Sequence, residues 1–235
     1  MRRRPIIVTD IDYTLTDAHL RLDAEAVETI RRLEAQRVKV ILASGRNLPT
    51  TGSLAQFIGT CGLVIAESGG VIARYQKPIK ILGKIENPRA ALAVLRRKIG
   101  RNVVERADSR YGLRLTDVSM ERSFDLKKAM NIIQETGIRV RLVDTGVTFQ
   151  LLDDGVDKGR ALIQLARLKG LPLSRAVAIG DNYNDLDLFR EAAYKIAVGN
   201  APKEVRKYAD YACRRSYGRG FLEAVGRAKL WSAVP

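Results

Sequence analysis

Thr9-Asp10-Ile11-Asp12-Tyr13-Thr14-Leu15-Thr16 follows directly on the apolar run Ile6-Ile7-Val8. A buried strand that ends on acidic residues delivers their carboxylates to the carboxyl edge of a sheet, where open α/β folds hold their ligands. Side chains alternate along an extended chain, so Asp10 and Asp12 share a direction while Ile11 faces the packing. Two such carboxylates suit work on a phosphate ester. One attacks phosphorus once Mg²⁺, which prefers oxygen ligands, has neutralised the ester's charge. The other gives a proton to the leaving group and takes one from water. Asp-x-Asp also opens an EF-hand loop, but that loop needs Gly at its sixth position and Glu at its twelfth, and Leu15 and Arg21 stand there. A plain pair of acids capping the next turn is the remaining alternative, and the rest of the chain decides against it.

Working outward, Asp23 reads as a helix cap, with Ala26, Val27, Ile30 and Leu33 at helical spacing behind it. Val38 to Ala43 is a second continuous apolar strand and ends on Ser44-Gly45-Arg46. A hydroxyl at a strand end, followed by a glycine that lets backbone come close, can hold phosphate oxygens through Oγ and N–H. A second helix is expected to start near Pro49 to Thr51, and Leu63-Val64-Ile65-Ala66 reads as a third buried strand leading to Glu67-Ser68-Gly69-Gly70. Strand and helix in alternation predict a doubly wound, Rossmann-like parallel sheet.

From about Gly83 the pattern changes. Asn87-Pro88 starts a helix whose apolar face is Ala91, Leu92, Leu95 and Ile99. A strand from Tyr111 to Val118, a helix from Asp125 to Glu135 and a hairpin around Asp144-Thr145-Gly146 are expected next, since Ile138, Val140 and Leu142 alternate before the turn and Val147, Phe149 and Leu151 after it. This reads as a small α+β cap spanning 82–154, inserted into a core made of 1–81 and 155–235. The core pattern then resumes. Lys158 sits at a helix start, where it opposes the helix dipole unless it is aimed at a phosphate held by Ser44. The strand Ala176 to Ile179 runs into Gly180-Asp181-Asn182-Tyr183-Asn184-Asp185. Asp181 and Asp185, four apart, project together, and with Asp10 and Asp12 they form a four-acid cluster that calls for a divalent cation.

Asp10-x-Asp12-x-Thr14, Ser44-Gly45-Arg46, Lys158 and Gly180-Asp181-x-x-Asn184-Asp185 occur in the order of the four motifs of the haloacid dehalogenase superfamily of phosphatases, which the whole chain resembles. Ala197-Val198-Gly199-Asn200-Ala201 is similar to the subgroup whose cap lies between the second and third motifs, and the small cap points within it to the archaeal phosphoglycolate phosphatases. The resemblance implies a Mg²⁺-dependent monoesterase. Asp10 is its nucleophile and a metal ligand. Asp12 is its general acid and base, and a ligand through its backbone carbonyl. Ser44, Gly45 and Lys158 bind the phosphoryl group, and Asp181 and Asp185 complete the metal site. Ser68 stands where the family usually has Asn in the turn Glu-Asn-Gly-Gly. The expected substrate is 2-phosphoglycolate. Sugar-phosphate phosphatases of the sucrose-phosphate or mannosylphosphoglycerate type share the four motifs and are the alternative.

At 235 residues, 46% hydrophobic and 29% charged, the chain can bury a full core. Cys61 and Cys213 have no metal-ligand spacing and are expected to be reduced thiols in a cytoplasm. No stretch approaches membrane-spanning length, so no membrane partner is expected. The net charge of +15 raises nucleic acid as a partner, yet no basic cluster with interleaved aromatics accompanies it. A basic nucleic-acid-binding module on this fold is the non-enzymatic reading. The expected partner is instead a small phosphorylated metabolite, with no nucleic acid, and self-association into a homodimer is left open. Cys213 and Arg219 satisfy the Cys-x₅-Arg spacing of cysteine phosphatases, but Ala212 and Gly220 stand where that loop has His and Ser or Thr. His19, the only histidine, has no Gly-x-Ser-x-Gly elbow to serve. In the cap, Arg139 and Arg141 alternate with apolar residues and are candidates to read a substrate carboxylate.

Overall fold

A computed structural model describes residues 4–231, with the basic start Met1-Arg2-Arg3 lying outside them. In chain order the elements are β1 (Ile6–Thr9), α1 (Ala24–Ala35), β2 (Val40–Ala43), α2 (Leu48–Ile58), β3 (Leu63–Ala66), β4 (Val71–Arg74), β5 (Lys77–Ile81), α3 (Glu86–Ile99), α4 (Ala107–Arg110), β6 (Asp117–Met120), α5 (Leu126–Thr136), β7 (Val140–Asp144), β8 (Phe149–Asp153), α6 (Lys158–Lys169), β9 (Ala176–Gly180), α7 (Leu186–Glu191), β10 (Tyr194–Ala197), α8 (Lys203–Arg206), β11 (Tyr211–Ala212) and α9 (Tyr217–Trp231).

Eight strands form one sheet in the order β11-β10-β9-β1-β2-β3-β4-β5. The first six are parallel, and β4 and β5 add an antiparallel hairpin at one edge. Buried on both faces, the central strands read as unbroken apolar runs. Ile7, Val40, Leu42 and Val177 pack under α1, α2 and α9, whereas their neighbours Ile6, Val8, Ile41 and Ala178 pack under α6 and α7. The chain leaves β1 toward β2 on one side and returns through β9 on the other. That reversal opens a crevice at the strands' carboxyl ends.

The hairpin β4–β5, with β10 and β11, adds to the sheet predicted from sequence. It was hidden because β5, Lys77-Pro78-Ile79-Lys80-Ile81, is an edge strand whose lysines and proline resemble a loop, as edge strands do to discourage pairing.

Between β5 and α6 lies a second sheet, β6-β8-β7, wholly antiparallel. α3 and α5 cover one face through Ala91, Leu92, Leu95, Ala129 and Ile133, packed on Val118, Met120, Phe149 and Leu151. Ser119 and Gln150, the alternating residues paired in register across β6 and β8, therefore point to the opposite face, toward the large sheet. The strand expected from Tyr111 to Val118 is corrected. Only Asp117–Met120 is strand, and 111–116 is a loop. Its apolar alternation is spent outward, leaving Tyr111, Leu113 and Leu115 exposed, while Arg114 and Thr116 are buried by polar contacts.

Those contacts join the two sheets. Glu67 is fully buried after β3, and its Oε2 accepts from the amides of Leu115 (2.9 Å) and Thr116 (2.8 Å) and from Thr116 Oγ1 (2.8 Å). Truncating it strands three donors, two of them buried. Glu67→Ala should cost about 2–4 kcal/mol in urea unfolding, and Glu67→Gln, which keeps an acceptor, clearly less.

Candidate active site

β1 ends in the middle of the large sheet, and the Asp10 amide continues the ladder by donating to Ile179 O of β9 (3.0 Å). The chain then turns, with Ile11 O accepting from the amides of Thr14, Leu15 and Thr16. Asp10 is 6% exposed at the crevice. Its Oδ1 accepts from Lys158 Nζ at 2.7 Å, and the same ammonium donates to Asp185 Oδ1 at 2.7 Å. Lys158 is the first residue of α6 and is 1% exposed. Sequence reasoning aimed it at a phosphate on Ser44. The structure places it between two carboxylates, which is why a cation is tolerated at a helix start.

Asp185 closes a short 3₁₀ turn, Tyr183–Asp185, and its Oδ2 accepts from the amides of Asp181 (3.0 Å) and Asn182 (3.1 Å). The carboxylate lies so near β9 that a Cβ on Gly180 would stand 2.5 Å from it, so only glycine fits there. Asp181 accepts from Thr14 Oγ1 (3.0 Å) and from Asn200 Nδ2 (3.4 Å), and Asn200 also donates to Tyr13 O.

One oxygen from each of Asp10, Asp181 and Asp185 lies within 4.8 Å of the others, all buried. The four-acid cluster expected from sequence is thus three acids. Asp12 turns its carboxylate to Arg46, whose Nε lies 3.0 Å from both oxygens and whose Nη2 lies 2.6 Å from Oδ1. Three carboxylates around one ammonium leave an excess of negative charge. Burial, with Asp185 and Asp12 nearby, pushes Asp10 up to about 7 even though Lys158 opposes it. Burial and the Asp10 and Asp185 carboxylates raise Asp181 well above the usual carboxylate range. Burial works against the Lys158 charge, but its two partners outweigh this and hold the ammonium protonated. An all-oxygen, net-negative, buried donor set suits a hard divalent cation such as Mg²⁺.

Ser44 is fully buried, and its Oγ accepts from the Arg46 amide (3.1 Å). Gly45 lines a cavity of about 310 Å³ together with Asp10, Asp12 and Arg46 from the large sheet and Arg106, Asp108, Arg114, Thr145, Thr148 and Gln150 from the inserted unit. Gly45 O accepts from Gln150 Nε2 (2.6 Å) and from Arg114 Nη1 (3.1 Å), and Ser68 Oγ donates to Gln150 Oε1 (2.7 Å). Ser68, the departure from the family's Asn, thereby anchors the residue that reaches Gly45. Arg139 and Arg141 are corrected as cavity cations. Arg139 is exposed, and Arg141 turns to Val156 O and to Asp187 and Asp157, away from the lining. Arg106, Arg114 and Gln150 escaped sequence reading, since nothing in their local pattern marks them. Arg46 stood in view within Ser44-Gly45-Arg46 without a partner to give it meaning. Cys213 is fully buried, and burial, with Glu223 nearby, pushes its thiol up to about 12, so it offers no thiolate.

Residues 7–96 and 117–225 match the haloacid dehalogenase-like hydrolases. The chain belongs to that family. It is a hydrolase of phosphoric monoesters by membership, and its central sheet with an inserted smaller unit is the family's architecture. Among relatives, the chain is 39% identical over 220 residues to a phosphoglycolate phosphatase of Methanoculleus marisnigri, covering 93% of this chain and 94% of that one. It is 37% identical to one of Archaeoglobus fulgidus over the same shares of both chains. Among solved structures, the protein 0175 of Thermoplasma acidophilum superposes with a TM-score of 0.83 at 23% identity over 97% and 99% of the two chains. The sucrose-phosphatase of Synechocystis sp. PCC6803, solved with sucrose and phosphate, superposes with a TM-score of 0.75 at 20% identity over 97% and 98%. Among the described residues, no helix is long and apolar enough to cross a membrane.

The upward shifts of Asp10 and Asp181 set a pH dependence. Acids raised in the folded state bind more protons folded than unfolded, so their contribution to stability is complete below the ordinary carboxylate value and is lost as pH rises through about 7. In chelator, the melting temperature should fall between about pH 5 and about pH 8, and Asp181→Asn should flatten that slope. A melting temperature that rises over this range overturns the charge assignment.

Proposed function

We propose that the chain is a Mg²⁺-dependent phosphomonoesterase that hydrolyses 2-phosphoglycolate through an aspartyl-phosphate on Asp10, with residues 82–154 as its cap. The observation that carries this reading is the buried group of Asp10, Lys158, Asp181 and Asp185 opening into a small cavity that two sheets share.

Asp10, Asp181 and Asp185, with the backbone carbonyl of Asp12, would hold Mg²⁺. The cation supplies charge neutralisation that lets a carboxylate approach a phosphate dianion. Asp10 attacks phosphorus, and the bond from phosphorus to the ester oxygen breaks. Asp12, on the cavity wall beside it, gives the leaving oxygen a proton and then takes one from the water that cleaves the aspartyl-phosphate. Lys158 holds Asp10 in place and adds positive charge beside the phosphoryl group. Ser44 and the Gly45 backbone bind phosphoryl oxygens. The Ser44 hydroxyl accepts from Arg46 N, which leaves its own proton free to donate.

The substrate class rests on cavity size and charge, together with the names of the archaeal relatives. At about 310 Å³ the cavity lies at the low end of ligand pockets, about 300–1,000 Å³, and fits an ester of two or three carbons better than a disaccharide phosphate. Likeness to the sucrose-phosphatase is a likeness of fold, so a sugar phosphate is the weaker reading.

Asp10→Asn should abolish phosphate release with unchanged far-UV circular dichroism, and Asp12→Asn should slow turnover by about 10²- to 10⁴-fold. Cys213→Ser should stay within about twofold, since a thiol held near 12 is not a nucleophile. EDTA should silence the enzyme and Mg²⁺ restore it, with Ca²⁺ a poor substitute, and Mg²⁺ alone should raise the melting temperature of wild type more than of Asp181→Asn. Activity that survives exhaustive chelation overturns the metal. A kcat/KM for sucrose 6-phosphate above that for 2-phosphoglycolate overturns the substrate.

A further inference from the structure

We propose that Arg106 is the residue that reads the carboxylate of the substrate, an assignment that rests on the reading of a small carboxylated phosphate ester given above. The charges on the cavity wall are almost all spent. Asp10 is held by Lys158, and Asp12 by Arg46. Arg114, whose side chain is 4% exposed, is held by Asp108 and Asp117 at 2.7 Å each and also donates to Gly45 O, so it is a fixed part of the wall. Arg106 differs. Among the described residues its one ion pair is with Glu121, outside the lining, and the two side chains are 39% and 46% exposed. Exposed pairs are weak and easily exchanged, so this guanidinium is available to an incoming anion.

The backbone aims it. The Arg106 amide donates to Ser119 O of β6 (2.9 Å), which fixes its Cα against the cap sheet. The preceding residue, Glu105, is buried and turned into the cap, where it pairs with Arg96 and accepts from Ser109 Oγ. The chain is extended at Arg106, so its side chain leaves on the other side, toward the cavity. On that same face Ser119 Oγ is fully buried and has no hydrogen-bond partner among the described residues. A buried hydroxyl without a partner is uncommon, and this one stands in register with Gln150, which lines the cavity. A planar two-pronged cation on the wall of the cavity that Asp10 also lines suits a carboxylate one methylene away from a phosphate ester. Glu121 competes for Arg106 while no anion is bound.

The test compares 2-phosphoglycolate with ethyl phosphate, in which a methyl group replaces the carboxylate, for wild type, Arg106→Ala, Arg106→Lys, Glu121→Gln and Arg139→Ala. In Arg106→Ala, KM for 2-phosphoglycolate should rise about 10- to 100-fold while kcat/KM for ethyl phosphate changes less than about threefold. Arg106→Lys should recover part of the loss, because it keeps the charge without the fork. Glu121→Gln should lower KM for 2-phosphoglycolate by about two- to fivefold, because the competing carboxylate is gone. Arg139→Ala, outside the lining, should move neither substrate. If wild type prefers 2-phosphoglycolate and Arg106→Ala and Arg106→Lys keep that preference, or lose both substrates alike, the assignment of Arg106 is overturned while the substrate reading stands. If wild type hydrolyses the two esters equally well, the substrate reading fails, and the assignment with it.

Discussion

A lysine ammonium, 1% exposed, sits between two carboxylates at 2.7 Å, and the positions of three chain segments follow from it. Burying a charge is costly unless it is paired and hydrogen-bonded, so the end of β1, the start of α6 and the turn after β9 have to meet at one point. Meeting there demands close backbone approach. A Cβ on Gly69, which has φ of +109°, would stand 2.2 Å from Asp157 O, the residue that caps α6. The pairing is also incomplete by design of charge, since a third carboxylate, Asp181, joins the group without a cation of its own. The site therefore stores unfavourable electrostatics, which a divalent cation can relieve.

The inserted unit is tied to this site by directional polar contacts more than by apolar area. Glu67 takes the amides of the 111–116 loop, and Gln150 spans from Ser68 to Gly45. A seam built of hydrogen bonds fixes register, because each donor has one place to go. The arginines follow the same logic. Two are committed to wall carboxylates and shape the cavity, and the third keeps only a solvent-exposed partner.

Much of the fold was legible because the core strands are short apolar runs that stop on chemistry-bearing residues. Asp10 and Asp181 converge because each lies just past a strand end, which can be read from sequence, and Asp185 joins them because the short turn after β9 folds its carboxylate back onto the Asp181 and Asn182 amides. Asp12 was expected from strand alternation to join Asp10, but it lies in the turn after β1 and its carboxylate partner is Arg46, and no periodicity reports a pairing 34 residues away. The β4–β5 hairpin was missed because edge strands carry the polar residues that loops carry. The 111–116 segment was misread because its apolar alternation faces outward, and its burial comes from Arg114 and Thr116, whose partners are Asp108, Asp117 and Glu67. Arg139 and Arg141 matched the expected composition of a binding face, yet Arg141 was drawn off by Asp187, a residue of another element. Contacts at long sequence separation decide where a long cation ends.

The Gly45 carbonyl accepts from two segments of the inserted unit at once, and it belongs to the peptide that joins Gly45 to Arg46. That peptide's own N–H, on Arg46, is bound back to Ser44 Oγ, so its plane is pinned at both ends. Displacing the inserted unit breaks both bonds to the carbonyl and unpins the plane. On the proposed reading of this unit as a cap, it has no stroke independent of the loop beneath it: a motion that admitted water and freed product would also slacken the proposed grip on phosphate. Exchange of ligands and loosening of the loop would then share one barrier, and the stiffness of a single peptide would enter the turnover time.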